Sequence, residues 1–128
     1  MTKSQALYNF WAGFGIPALD EQSAYDEQTL EELQIGYPYL SFESAVGEFG
    51  EPVALSADLW YRSTTWRDIE AKAEQIANAI GLGGVTVPYD DGVVWITRGS
   101  PIYRRLGAEN IFDIRRIQIN INAEFLSA

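Results

Sequence analysis

The chain has 128 residues, with 47% hydrophobic residues, no cysteine and no histidine. Its length fits one domain able to bury about two thirds of its unfolded surface. The missing residue types exclude disulfides, thiolate catalysis, Cys/His zinc sites and histidine-base chemistry. A formal charge of -9 and a pI near 4.3 argue against general nucleic-acid binding, which needs clustered cations. No apolar run of about 18 residues is present to span a bilayer, and the first residues lack the basic-then-apolar order of a signal peptide.

The charge is uneven along the chain. From Met1 to Asp58 ten acids face Lys3 alone, whereas from Leu59 to Ala128 eight acids balance eight bases. Such asymmetry bears on association more than on fold.

The first expected element is a helix over Ser4–Phe14, with Leu7, Phe10, Trp11 and Phe14 on one stripe. Thr2 or Ser4 suits its start, and Gly13 and Gly15 its stop. Ile16–Ala18 reads as extended. Residues 20–36 read as a mobile acidic loop, with one helical turn over Thr29–Gln34. A strand follows over Tyr39–Val46, with Leu40, Phe42, Ser44 and Val46 on one face, and a second over Val53–Tyr61. Thr65 with Asp68 signals a helix start, and Trp66, Ile69, Ala73, Ile76 and Ile80 form its apolar stripe. Gly81, Gly83 and Gly84 end it. Val85–Pro88 and Val93–Arg98 flank an Asp-Gly hairpin signal at Asp91-Gly92. Gly99–Asn110 reads as a loop. In the last strand Ile117, Ile119, Ile121, Ala123 and Phe125 alternate with Gln118, Asn120, Asn122 and Glu124. The expected class is α+β: a single domain over 1–128, with an antiparallel or mixed sheet of about five strands packed by two helices.

Catalytic patterns are weak. Asp90-Asp91 supplies too few oxygens for Ca²⁺ and fits turn chemistry. Glu31-Glu32 and Asp26-Glu27 lie in the most polar stretch, without the apolar setting that raises a general acid's pKa. Gly81-Leu-Gly-Gly84 closes a helix, whereas a phosphate loop opens one. No serine sits in a strand-turn-helix elbow. No catalytic, cofactor or metal site is expected.

The bases are more informative. Arg98, Arg104, Arg105, Arg115 and Arg116 are five of nine bases within nineteen positions. The planar guanidinium makes paired bonds to carboxylates and is favoured at interfaces. Such a patch suits nucleic acid or an acidic neighbour, and another copy of the chain offers its acidic half. The plainer alternative is scattered, solvated arginine.

Three segments carry a family resemblance: Tyr37-Pro-Tyr-Leu-Ser-Phe-Glu43; Ala57-Asp-Leu-Trp-Tyr-Arg-Ser63 running into Trp66–Ile80; and Trp95-Ile-Thr-Arg-Gly-Ser-Pro101 with Arg115-Arg-Ile-Gln-Ile-Asn-Ile-Asn-Ala-Glu-Phe125. In joint order they resemble the tail terminator, or tail completion, proteins of long-tailed bacteriophages and related prophage minor tail components. The likeness covers most of the chain and departs at residues 20–36. It implies a non-catalytic, cofactor-free structural protein of the virion tail, assembled in the host bacterial cytoplasm. In that family a ring, typically hexameric, caps the tail tube and faces the head connector. The implied partners are thus other copies, the major tail-tube protein and a head-completion protein, with no membrane and no specific nucleic acid. A ring joins unlike patches head to tail, which uneven charge favours. On this reading some of Arg98, Arg104, Arg105, Arg115 and Arg116 contact acidic groups of a neighbouring subunit or of the tube protein. Head–tail joining (neck) proteins look similar at this level. Two other classes stay open: a small α+β ligand-binding protein or enzyme with an aromatic-lined cup, and an acidic inhibitor that mimics nucleic acid.

Overall fold

A computed structural model describes residues 1–20, 36–48, 50–107 and 113–127, so most of the acidic stretch 20–36, including Thr29–Gln34, lies outside the described residues. The elements in chain order are α1 (Lys3–Ala12), β1 (Ala18–Asp20), β2 (Tyr39–Phe42), β3 (Val53–Arg62), α2 (Arg67–Ile80), β4 (Val85–Tyr89), β5 (Gly92–Leu106) and β6 (Ile114–Ser127). They form a mixed α/β fold in which the six strands lie in the order β1-β2-β3-β6-β5-β4. All pairings are antiparallel except β1 with β2.

One face of the sheet makes the core. Ile117, Ile119, Ile121, Ala123 and Phe125 of β6 are all at most 1% exposed. The register places Leu59, Ala57 and Leu55 of β3 opposite Ile117, Ile119 and Ile121. Strict alternation puts every second residue inside, so β6 reads as a half-buried strand. Helix α2 lays Ile69, Ala73, Ile76 and Ile80 on this face, and it contacts β3, β5 and β6. Helix α1 buries Ala6, Leu7 and Trp11 and touches both edge strands, β1 and β4. A sheet whose two edges meet one short helix is curled, and α1 fills the gap between those edges.

Several boundaries differ from expectation. Among the described residues there are six strands, not about five, because Ala18–Asp20 pairs parallel with Leu40–Phe42. Strand β2 stops at Phe42, and Ser44 and Val46 are exposed. Past Phe42 the Glu43 side chain takes over: its Oε1 accepts from the Ser56 backbone N–H at 3.1 Å and from the Ser56 hydroxyl. Thr65 does not cap α2; Trp66 holds the cap position without a side-chain bond. Thr2 does cap α1, in a reciprocal box with Gln5.

The largest correction concerns Gly99–Asn110. Its described part through Leu106 belongs to β5, paired with β6, and is no loop. Arg98 faces Ile121 and Tyr103 faces Ile119, so extra residues bulge out between them. Two asparagines of β6 hold the bulge. The Asn120 amide donates to the Pro101 carbonyl at 3.0 Å, and the Asn122 amide to that of Arg98 at 3.5 Å. Gly-Ser-Pro signals a turn, and here it lies in a bulge inside a strand.

Candidate functional site

The five arginines singled out by their clustering do not form one patch. Neighbours in a strand point to opposite faces. Arg98, Arg105 and Arg115 therefore lie on the helix-packed side, while Arg104 and Arg116 lie on the outer side. Arg98 donates to the Ala77 carbonyl through Nε at 3.2 Å and Nη2 at 2.8 Å. That carbonyl belongs to the last turn of α2, which carries no base of its own, so Arg98 supplies the cation a helix C-terminus favours. Arg105 pairs with Glu70 at 2.5 Å and lies 4.8 Å from the Trp66 ring centroid. Arg115 lies 5.4 Å from the same ring and donates to the Thr64 carbonyl at 2.8 Å. The two guanidiniums thus fix Trp66 at the start of α2. Nearby, Tyr61 is held above its ordinary pKa of 10.0 by burial first and by Asp68 second. Tyr103 is raised by burial first, then by Glu74 and Glu70. Both phenols stay neutral at neutral pH.

The outer face is built differently. Tyr37 and Tyr39 meet at 5.4 Å, and Tyr39 stacks on Trp60 at 6.1 Å with 17° between the planes. Arg62 covers Tyr37 at 5.0 Å, and Arg116 covers Trp60 at 5.0 Å. The Trp60 indole donates to the buried Ser41 hydroxyl at 3.1 Å. Arg116 reaches Asp58 at 2.8 Å, leaving Asp58 Oδ1 and Arg116 Nε buried and without a partner among the described residues. Arg104 bonds the Gln118 amide oxygen at 3.0 Å, and no carboxylate pairs with it among the described residues. The result is a rigid ladder of aromatic rings and arginine across β2, β3 and β6. Residues of these types dominate binding energy at protein interfaces.

The antiparallel register also sorts charge along the strands. Arg62, Arg116 and Arg104 come together at one end, with Arg67, Arg105 and Arg115 beside them. Asp58, Asp68, Glu70 and Asp113 offset part of this, through ion pairs with Arg116, Arg67, Arg105 and Arg62. At the opposite end lie Glu48, Glu51, Asp90, Asp91 and Glu124, with Lys3 the nearby base among the described residues. No protein-family model and no curated protein matches the chain. Among the described residues no helix is long and apolar enough to cross a membrane, and no group of three or more acids could hold a metal ion.

The arginine count pointed to Arg104 and Arg116, but missed Tyr37, Tyr39, Asp58 and Trp60, which complete their surroundings. The alternation in β3 carried that signal: Asp58 and Trp60 share the face opposite Leu59.

One placement has a direct consequence for stability. Replacing Arg98 with alanine removes two charge-assisted bonds from a half-buried carbonyl at the end of α2. It is expected to lower unfolding free energy by about 2 kcal/mol in urea titration. Arg104→Glu, on an exposed side chain, is expected to change it by less than about 0.5 kcal/mol.

Proposed function

We propose that the chain is a non-catalytic assembly subunit that joins copies of itself head to tail into a ring. The reading extends to the end of a phage or prophage tail tube, as the resemblance implies. There the ring caps the tube protein and presents a surface to the head connector. The observation that supports it best is the axial sorting of charge: an arginine-bearing end and an acidic end on one rigid sheet. Unlike ends are what a heterologous contact requires. Opposite charge speeds the encounter and penalises contact between like ends. Arg104, on the outer face and without a carboxylate partner among the described residues, is the arginine best placed to meet a neighbour. Arg98, Arg105 and Arg115 are engaged within the chain. The aromatic ladder beside Arg104 offers the apolar contact that charge alone lacks.

Light scattering after size exclusion, with and without the tail-tube protein, tests this. The unaltered chain is expected to form a closed oligomer, alone or on addition of the tube protein. Arg104→Glu and Asp91→Lys are each expected to weaken assembly at least about tenfold. Ionic strength of about 1 M, where the Debye length is about 3 Å, is expected to weaken it as well. A chain that stays monomeric with the tube protein overturns the assembly reading. Binding to a head connector but not to the tube favours a neck protein. Assembly indifferent to both reversals and to salt overturns the charge-sorted contact.

A further inference from the structure

A trough runs along the outer face of β6, away from the arginine-bearing end. Its larger part, about 330 Å³, is lined by Glu43, Ala54, Ser56, Ser100, Asn120 and Asn122. The adjoining part, about 270 Å³, is lined by Pro52, Trp95, Thr97, Asn122 and Glu124. Asn122 borders both, so the two parts adjoin along β6. The strand register builds it in rows, with Ala54 and Thr97 flanking Asn122, Ser56 beside Asn120, and Trp95 beside Glu124. From Asn120 to Glu124 the floor spans about 13 Å.

The lining selects a ligand chemistry. Among the described residues no lysine or arginine borders either part, while the carboxylates of Glu43 and Glu124 do. Anions are therefore disfavoured. Amide and hydroxyl groups supply both donors and acceptors. Trp95 is 40% exposed, and its indole N–H is held by the Gly83 carbonyl at 3.0 Å, so a fixed aromatic surface stands beside polar groups.

The walls are preset as well. The Asn120 and Asn122 amides bond the bulge, and Glu43 bonds Ser56. A Cβ at Gly99 would lie 2.8 Å from Asn120 backbone atoms, so only glycine lets the bulge approach this closely. Fixed polar groups lower the ordering cost of binding.

We propose that this trough binds a short neutral oligosaccharide. A sugar ring presents hydroxyls around its rim and C–H groups on its face. The amides, hydroxyls and carboxylates match the rim, and Trp95 matches the face. A polar lining with one exposed aromatic face suits a ligand that is polar at its edge and apolar on its face. This site is separate from Arg104 and the aromatic ladder, so it stands or falls independently of ring assembly.

The test is an NMR titration of the ¹⁵N-labelled chain with cellotriose, maltotriose and the trimer of N-acetylglucosamine, with glucose 6-phosphate as the anionic control. At least one trisaccharide is expected to shift the Trp95 indole and the Asn120 and Asn122 amide signals saturably, with a Kd of about 1 mM or below. Trp95→Ala and Glu124→Ala are each expected to raise that Kd at least about tenfold. Trp95 also holds Gly83, so Glu124→Ala, at a partly exposed side chain, is the variant that leaves the fold intact. Absence of saturable shifts with all three trisaccharides at about 20 mM overturns the proposal. So do an unchanged Kd in Glu124→Ala and glucose 6-phosphate binding as tightly as the neutral sugars.

Discussion

Phe125→Ala is expected to cost about 4 kcal/mol of unfolding free energy, within the range for truncating a buried aromatic ring. Phe125 is 1% exposed, pairs with Val94 across β5 and lies 6.2 Å from the Tyr89 ring. Its carbonyl also accepts the Gly50 backbone N–H at 3.2 Å. The ring therefore joins β4, β5 and β6 near where α1 contacts β4. Domains of this size have about 5–15 kcal/mol in total, so the loss is a large fraction of it. At about 4 °C per kcal/mol, Tm falls by about 15 °C. Leu82→Ala is the matched control. Leu82 is 95% exposed and its loss is expected to change stability by less than about 0.5 kcal/mol. Denaturant unfolding of the two variants checks both values. A Phe125→Ala cost below about 1 kcal/mol would show that β6 does not pack as described.

That residue illustrates which parts of the fold are legible from sequence alone. The period-2 alternation from Ile117 to Phe125 identifies a half-buried strand because burial on one face imposes that pattern directly. The period-3.6 stripe Ile69, Ala73, Ile76, Ile80 identifies α2 for the same reason. The three-residue strand β1 has no period to detect; it exists because Leu40 and its neighbours offer a free edge to Ala18–Asp20. The second half of β5 is hidden by its bulge, which breaks the alternation between Arg98 and Tyr103 and places turn residues inside a strand.

The candidate site shares this limit. Clustered arginines are visible as composition, but their division between two faces depends on Arg104-Arg105 and Arg115-Arg116 being in strands. Once Gly99–Asn110 is read as a loop and β6 is started at Ile117, that division cannot be read. The axial sorting of charge is less local still, since it depends on which strand ends the register brings together. The polar row Gln118, Asn120, Asn122, Glu124 was visible as the solvent side of β6. The trough above it needs the bulge and Glu43, which no local pattern connects.

Gly84→Ala is expected to cost about 3 kcal/mol, and three other glycines separate the terms that make up this value. Gly84 has φ +82°, and a Cβ there would lie 2.6 Å from Trp95 Nε1 and 2.7 Å from the Ile96 carbonyl oxygen. The left-handed backbone costs a residue with a Cβ about 1–2 kcal/mol. Crowding against β5 adds about 1–3 kcal/mol, because the Ile96 oxygen belongs to backbone and cannot swing aside. Gly15 has φ +83° with nothing among the described residues within 4 Å of the added carbon, so Gly15→Ala isolates the backbone term and is expected to cost about 1 kcal/mol. Gly99 has the contact without the positive φ, at 2.8 Å from Asn120 backbone atoms, so Gly99→Ala isolates the crowding term at about 2 kcal/mol. Gly83 has neither among the described residues and is expected to tolerate alanine within about 0.5 kcal/mol. The order Gly84, Gly99, Gly15, Gly83 in urea titrations follows from geometry alone. If Gly84→Ala and Gly15→Ala cost the same, the β4–β5 hairpin does not hold Gly84 against Trp95 and Ile96.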